Sequence, residues 1–226
     1  MKTGPSGKGP REGCRRFGTP SWSGLVRWVV VVGLLSMAVA CGARGGAPPE
    51  AGETSGAVPA LSGRSVMVLP VQGSSGMGDL ARDVDAEIRY ALRSRSDQVR
   101  WSFPEDLRDA LARSPGLDVP LESLPVGAFL QAEVQRVGDP LFGQLRRLGA
   151  VADGELALVP VSVRRNPVRD GGDGADAVPA ELVTALIQVR DGRVAWFGVV
   201  EGDPGREGDF GLVASLAEAL GATLFP

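Results

Sequence analysis

The sequence predicts a mixed α/β domain, with one sheet of about five strands covered by helices and an antiparallel hairpin late in the chain. Three observations carry this. Ser65-Val66-Met67-Val68-Leu69-Pro70-Val71 is continuously apolar and β-branched, as a strand buried on both faces must be. Leu80, Val84, Ile88 and Leu92 recur every four residues, which places them on one side of a helix. Two further apolar runs, 182–189 and 194–200, flank Arg190-Asp191-Gly192-Arg193, and Asp-Gly is a favoured two-residue hairpin turn.

The remaining elements follow in order. Gly73 to Gly78 form a loop, and Asp79 is placed to cap a helix running to about Arg95. Acids early in that helix (Asp83, Asp85) and arginines late (Arg93, Arg95) match its dipole. Val99-Arg100-Trp101-Ser102-Phe103 alternates as a half-buried strand does. Pro104 opens the next helix, with Glu105 and Asp106 in its first turn and Leu107 and Leu111 on its buried side. Residues 115–125 hold three prolines and no clear period. One or two helices cover 127–150, broken at Asp139-Pro140. Leu156 to Val163 is apolar on both faces, and an acidic Gly-rich insertion at 170–174 separates it from the hairpin. A last helix lies near 210–220, with Val213, Leu216, Ala217 and Leu220 as its stripe. The order is β-α-β-α-α-β-β-β-α.

Ahead of this domain (64–226) stand two segments of different character. Residues 1–40 begin with Lys2, Lys8, Arg11, Arg15, Arg16 and Arg27, followed by a charge-free apolar run from Trp28 to Ala40. About 13 residues suit the apolar core of an export signal better than the roughly 20 needed to span a bilayer. The run ends Leu34-Leu35-Ser36-Met37-Ala38-Val39-Ala40-Cys41. This resembles the lipobox of bacterial lipoproteins, although Ala38 stands where Leu is usual. The resemblance implies cleavage between Ala40 and Cys41 and lipidation of Cys41. Several acyl chains would then anchor the protein stably, since one alone is marginal. An uncleaved transmembrane anchor and ordinary secretion are the alternatives. Gly42 after the cysteine favours the outer membrane, with the domain facing the periplasm. Residues 41–63, rich in Gly, Ala, Pro and Ser, read as a disordered tether.

Composition narrows the function. The chain holds 24 Lys and Arg against 27 Asp and Glu, with no His. Six cations and one acid precede Cys41, so cleavage leaves 18 Arg, 26 acids and a net charge of −8. Such a chain repels polyanions, so nucleic acid is not an expected partner. Its basic clusters read as solvated faces. Cys41 is then the sole cysteine, which excludes an internal disulfide. Without His or Lys, the cleaved chain lacks the usual neutral-pH base and amine nucleophile, and Ser-His-Asp arrangements are impossible. No zinc-type site is available. Paired carboxylates such as Glu105-Asp106 are read as helix capping and solvation. Gly73-Ser74-Ser75-Gly76-Met77-Gly78 matches no phosphate-binding fingerprint. Asp170, Asp173 and Asp176 lack the EF-hand pattern and read as a surface loop. Trp101, Trp196 and Phe197 read as core, and Tyr90 has no special role. No cofactor, metal or catalytic residue is expected.

The strand Val66-Met67-Val68-Leu69-Pro70 after a tether, the aliphatic helix Leu80 to Leu92, and the hairpin from Leu186 to Trp196 together resemble a broad family of envelope domains. That family includes the amino-terminal domain of the Tol-system propeller protein, the curli-secretion lipoprotein and lipoprotein activators of peptidoglycan synthases. The resemblance spans residues 65–226, apart from the Pro-rich region, and transfers no functional residue. It implies a non-enzymatic binding or assembly domain that engages another envelope protein or copies of itself, with the edge strands as docking surfaces. A self-assembling secretion accessory and, less favoured, a carboxylate-only carbohydrate-active enzyme are the competing expectations.

Overall fold

The structure, a computed structural model, describes residues 50, 52–75, 77–130, 134–165, 177–206 and 208–226. The segment expected to be an export signal, with Ala40 and Cys41, and the acidic insertion with Asp170, Asp173 and Asp176, lie outside the described residues.

Seven strands form one mixed sheet: β1 (Thr54–Gly56), β2 (Ser65–Val68), β3 (Ser74–Ser75), β4 (Arg100–Ser102), β5 (Leu156–Arg165), β6 (Ala180–Gln188) and β7 (Val194–Glu201). Their spatial order is β1-β7-β6-β5-β2-β4, with β3 also beside β5. Strands β2, β3 and β4 run parallel to their neighbours, whereas β5 to β7 and β1 pair antiparallel. Among the described residues the α-helices are α1 (Val84–Arg95), α2 (Pro104–Ala112), α3 (Leu141–Ala152) and α4 (Phe210–Leu224).

The fold class is the one the sequence predicts, and all five expected strands are present. The two additional strands are short. β3 continues the line of β2 along β5 after the chain passes Pro70, where Leu69 and Gln72 donate to the carbonyls of Leu158 and Pro160. β1 corrects the reading of 41–63 as wholly disordered. The backbone of Thr54-Ser55-Gly56 closes the outer edge of β7, and Leu61 is buried. Backbone pairing needs no particular side chain, so a polar, Gly-containing segment can supply an edge strand that composition disguises.

Alternating residues of the central strands feed two cores. Val66, Val68, Leu156, Leu158, Leu182 and Leu186 pack under α1 and α4, while Met67, Leu69, Ala157, Val159, Val183 and Ile187 pack under α2 and α3. The period-2 strand geometry therefore makes a three-layer sandwich. Near Pro160, which has no N–H, the β5–β6 register slips, and Thr184 Oγ1 donates to the Val159 carbonyl at 3.2 Å. The slip lets Val161 and Val163 enter opposite cores.

Helix details refine the expectations. Val84, Ile88 and Leu92 are buried as their spacing requires, and Ala91 joins them. Asp79 does not cap the helix. Burial of Met77 bends the chain into a 3-10 turn, Gly78–Arg82, in which Asp79 meets Arg82 at the surface. Asp106 does act at a helix start: its carboxylate accepts the Phe103 N–H at 2.9 Å. Glu105 pairs with Arg89 at 2.9 Å.

The Pro-rich stretch is packed. Val119, Leu121, Leu124, Val126 and Phe129 are buried, and the Phe129 ring stacks 6.0 Å from that of Phe197. Gln72 fastens this stretch to the sheet. Its amide donates to the Leu121 carbonyl at 2.8 Å and accepts the Leu124 N–H at 2.7 Å. Where a helix is expected from 127, the described residues 127–130 and 134–138 hold a 3-10 turn, Gly127–Leu130. The break at Asp139-Pro140, a cis peptide, precedes α3.

Candidate functional site

The two ends of the sheet differ in charge. At the carboxyl ends of β2 and β4 stand Asp79, Asp83, Asp85, Glu105 and Glu122. Here the nearby guanidiniums of Arg82, Arg89 and Arg108 each meet a carboxylate, at 3.3, 2.9 and 2.9 Å. Asp85 is half-buried and accepts the Val71 N–H at 2.9 Å. Burial raises its pKa above 3.8; the Val71 hydrogen bond and Arg108 oppose that rise, and Glu105 and Glu122 add to it. The carboxylate therefore holds the loop after β2 against the start of α1.

The opposite end is a basic groove. Its larger part, about 670 Å³, is lined by Arg64 just before β2, Arg146 and Gly149 on α3, Gly154 and Glu155 before β5, and Gln188 and Arg190 where β6 ends. Gln188 also lines an adjoining hollow of about 410 Å³, with Ser55, Gly56, Gln135, Arg193 and Ala195. Among the described residues, four guanidiniums thus meet a single lining carboxylate, that of Glu155, which already lies 3.8 Å from Arg100. Arg64, Arg190 and Arg193 have no carboxylate partner among the described residues, and Arg146 rests over the Phe142 ring at 5.7 Å.

Local structure explains why these arginines converge. The β6–β7 connection is not the expected two-residue turn. Gln188 donates to the Arg193 carbonyl and Gly192 to that of Gln188, leaving a four-residue loop, Val189 to Gly192. Val137 donates to the Gly192 carbonyl at 2.8 Å, drawing the chain before α3 against this loop. Gly192 has φ +72°, and a Cβ there would meet the Val137 carbonyl and the Phe142 ring at 2.9 Å. The docking makes Arg136 and Arg193 partners in an antiparallel bridge. Flanking hydrogen bonds from Val137 to Gly192 and from Val194 to Gln135 make theirs the closer, non-hydrogen-bonded type of pair. Like charges directly opposite are destabilising.

The residues singled out from sequence fall elsewhere. Trp196 and Phe197 are buried; Trp101 lies 6.0 Å from Phe103 and 6.2 Å from Phe225, so these aromatics serve the core. Tyr90 is exposed. Ser74 and Ser75 of the Gly-rich loop form β3. The two edge strands, β1 and β4, have three residues each. Among the described residues no cluster of His, Cys, Asp and Glu is placed to hold a metal, and no helix is long and apolar enough to cross a membrane. The groove escaped sequence reasoning because Arg64, Arg146, Arg190 and Arg193 are scattered over 130 positions with no local motif.

No family model matches the chain, and no curated protein matches it. Solved structures do resemble it. A PelC dodecamer from Paraburkholderia phytofirmans is 13% identical with a TM-score of 0.37, over 74% of this chain and 94% of that one. Lipoprotein GNA1162 from Neisseria meningitidis is 14% identical with a TM-score of 0.40, over 70% and 94%. The LpoB C-terminal domain from Salmonella enterica is 16% identical with a TM-score of 0.41, over 65% and 87%. The likeness is one of fold, and no residue of the groove is assigned from it.

Proposed function

We propose that this chain is a lipid-anchored protein of the bacterial envelope, whose α/β domain binds another envelope component without catalysing a reaction. The observation that carries the reading is the segment Leu34 to Cys41 behind a basic, then apolar, leader. Cleavage after Ala40 makes Cys41 the lipid-bearing amino terminus, at the periplasmic face of the outer membrane. The domain supports a binding role: it presents a concave groove lined by four arginines at one end of its sheet. The absence of His from the whole chain, and of Lys after Lys8, supports the non-enzymatic part. An assembly role in the manner of the Tol or curli domains belongs to the same reading.

Nine positions separate Cys41 from Glu50. Even fully extended they span no more than about 32 Å, so the domain stays close to the bilayer. Native extraction in mild detergent, followed by measurement of the mass of the complex, tests the proposal with Cys41→Ala as control. A complex containing a second envelope protein, lost from the membrane fraction in Cys41→Ala, is expected. An unaltered membrane distribution of the control contradicts the anchor, and an isolated monomer contradicts the binding role.

A further inference from the structure

Arg136 and Arg193 face each other across the β-bridge, and Arg64, Arg146 and Arg190 line the hollow that continues past Gln188; among the described residues none of the five meets a carboxylate within salt-bridge distance. The part of the chain after Ala40 carries eight more acids than bases, so carboxylate is not scarce. Where it does pair arginines, as in Arg95–Glu218 and Arg164–Glu181, it does so at 2.9 and 2.7 Å. Like-charge opposition lowers stability and persists where an outside anion relieves it.

The groove is suited to a chain of charges rather than one ion. Guanidiniums stand on either side of Gln188, those of Arg64, Arg146 and Arg190 in one hollow and that of Arg193 in the other, and a guanidinium binds a carboxylate through paired N–H donors. Between Trp196 and Val194 the β6–β7 ladder skips Ala195, which lines the second hollow. Ser55 and Gly56 of β1, the strand by which the chain joins the sheet, line the second hollow.

We propose that this groove binds an extended acidic peptide segment of a partner protein, seating successive carboxylates at Arg64/Arg146/Arg190 and at Arg193. The inference rests on the binding role proposed above but not on the lipid anchor. It is tested with the full chain in zwitterionic detergent, using fluorescent poly-glutamate of about 20 residues as the probe. Expected are binding that weakens with salt and a loss of at least tenfold in Arg64→Ala/Arg190→Ala, with Arg206→Ala, at the opposite end of the sheet, unchanged. Arg193→Gln carries a second readout: it should melt at a higher temperature than the parent while binding the probe more weakly. Equal binding by parent and double variant overturns the proposal. So does displacement of the probe by a few per cent phosphatidylglycerol in the micelle, which would mark a membrane-facing surface. Lower thermal stability of Arg193→Gln would show that the pair is structural. Failure of the probe to bind while Cys41 is acylated would refute the groove and leave the anchor standing.

Discussion

Asp85 shows how one side chain ties loop geometry to pH. Its pKa lies above 3.8 chiefly because burial disfavours the charged form. The folded state therefore holds this proton more tightly than the unfolded state does. The corresponding stability is fully present below pH 3.8 and is lost as pH rises through the raised folded value. Asp85→Asn keeps an acceptor for the Val71 N–H and removes the charge. Denaturant melts should find the variant more stable than the parent at pH 7 and level with it at pH 3. A parent that gains on the variant as pH rises would contradict the assignment. Gly192 is the second informative position. Its positive φ and the contacts awaiting a Cβ predict that Gly192→Ala lowers stability by about 1–3 kcal/mol, measured by chemical denaturation. The same change should weaken probe binding by loosening Arg136 from Arg193.

Among the elements, β1 makes the clearest prediction. It joins the sheet through Thr54, Ser55 and Gly56, and Gly56 adopts φ +78° where a Cβ would collide with the Ala195 carbonyl. Gly56→Val should release β1 and expose the outer edge of β7. Hydrogen exchange should then speed up at Val199, whose N–H is held by the Glu53 carbonyl, while β5 stays protected. Unchanged exchange at Val199 would mean that β1 contributes nothing to that edge. The elements divide sharply by how much of them the sequence reveals. Val66 to Leu69, Leu156 to Val163 and the α1 stripe were legible because burial on a strand or helix imposes a period on side chains. β1 was not, since its contribution is backbone pairing alone. The 3-10 turn at Gly78–Arg82 and the four-residue hairpin loop were misjudged for a related reason. Met77 burial and Val137 docking, both tertiary events, override the local signals of Asp79 and Asp191-Gly192.

At the scale of the whole molecule, the sheet carries two faces of apolar core, an acidic end and a basic end. The sequence supplied the total charge but not its arrangement, because neighbours in the groove come from α3, the strand ends and the β6–β7 loop. The basic and apolar run before Cys41, by contrast, is a local pattern, readable without any fold. The proposed function joins them: an anchored terminus, a short connection, and a sheet whose basic end takes up an acidic partner. The most direct test is the intact mass of the chain extracted from native membranes. The account predicts a chain beginning at Cys41 with the added mass of acyl groups, and no such species from Cys41→Ala. A membrane-bound chain that retains residues 1–40, or one that begins at another residue without acyl mass, would contradict it.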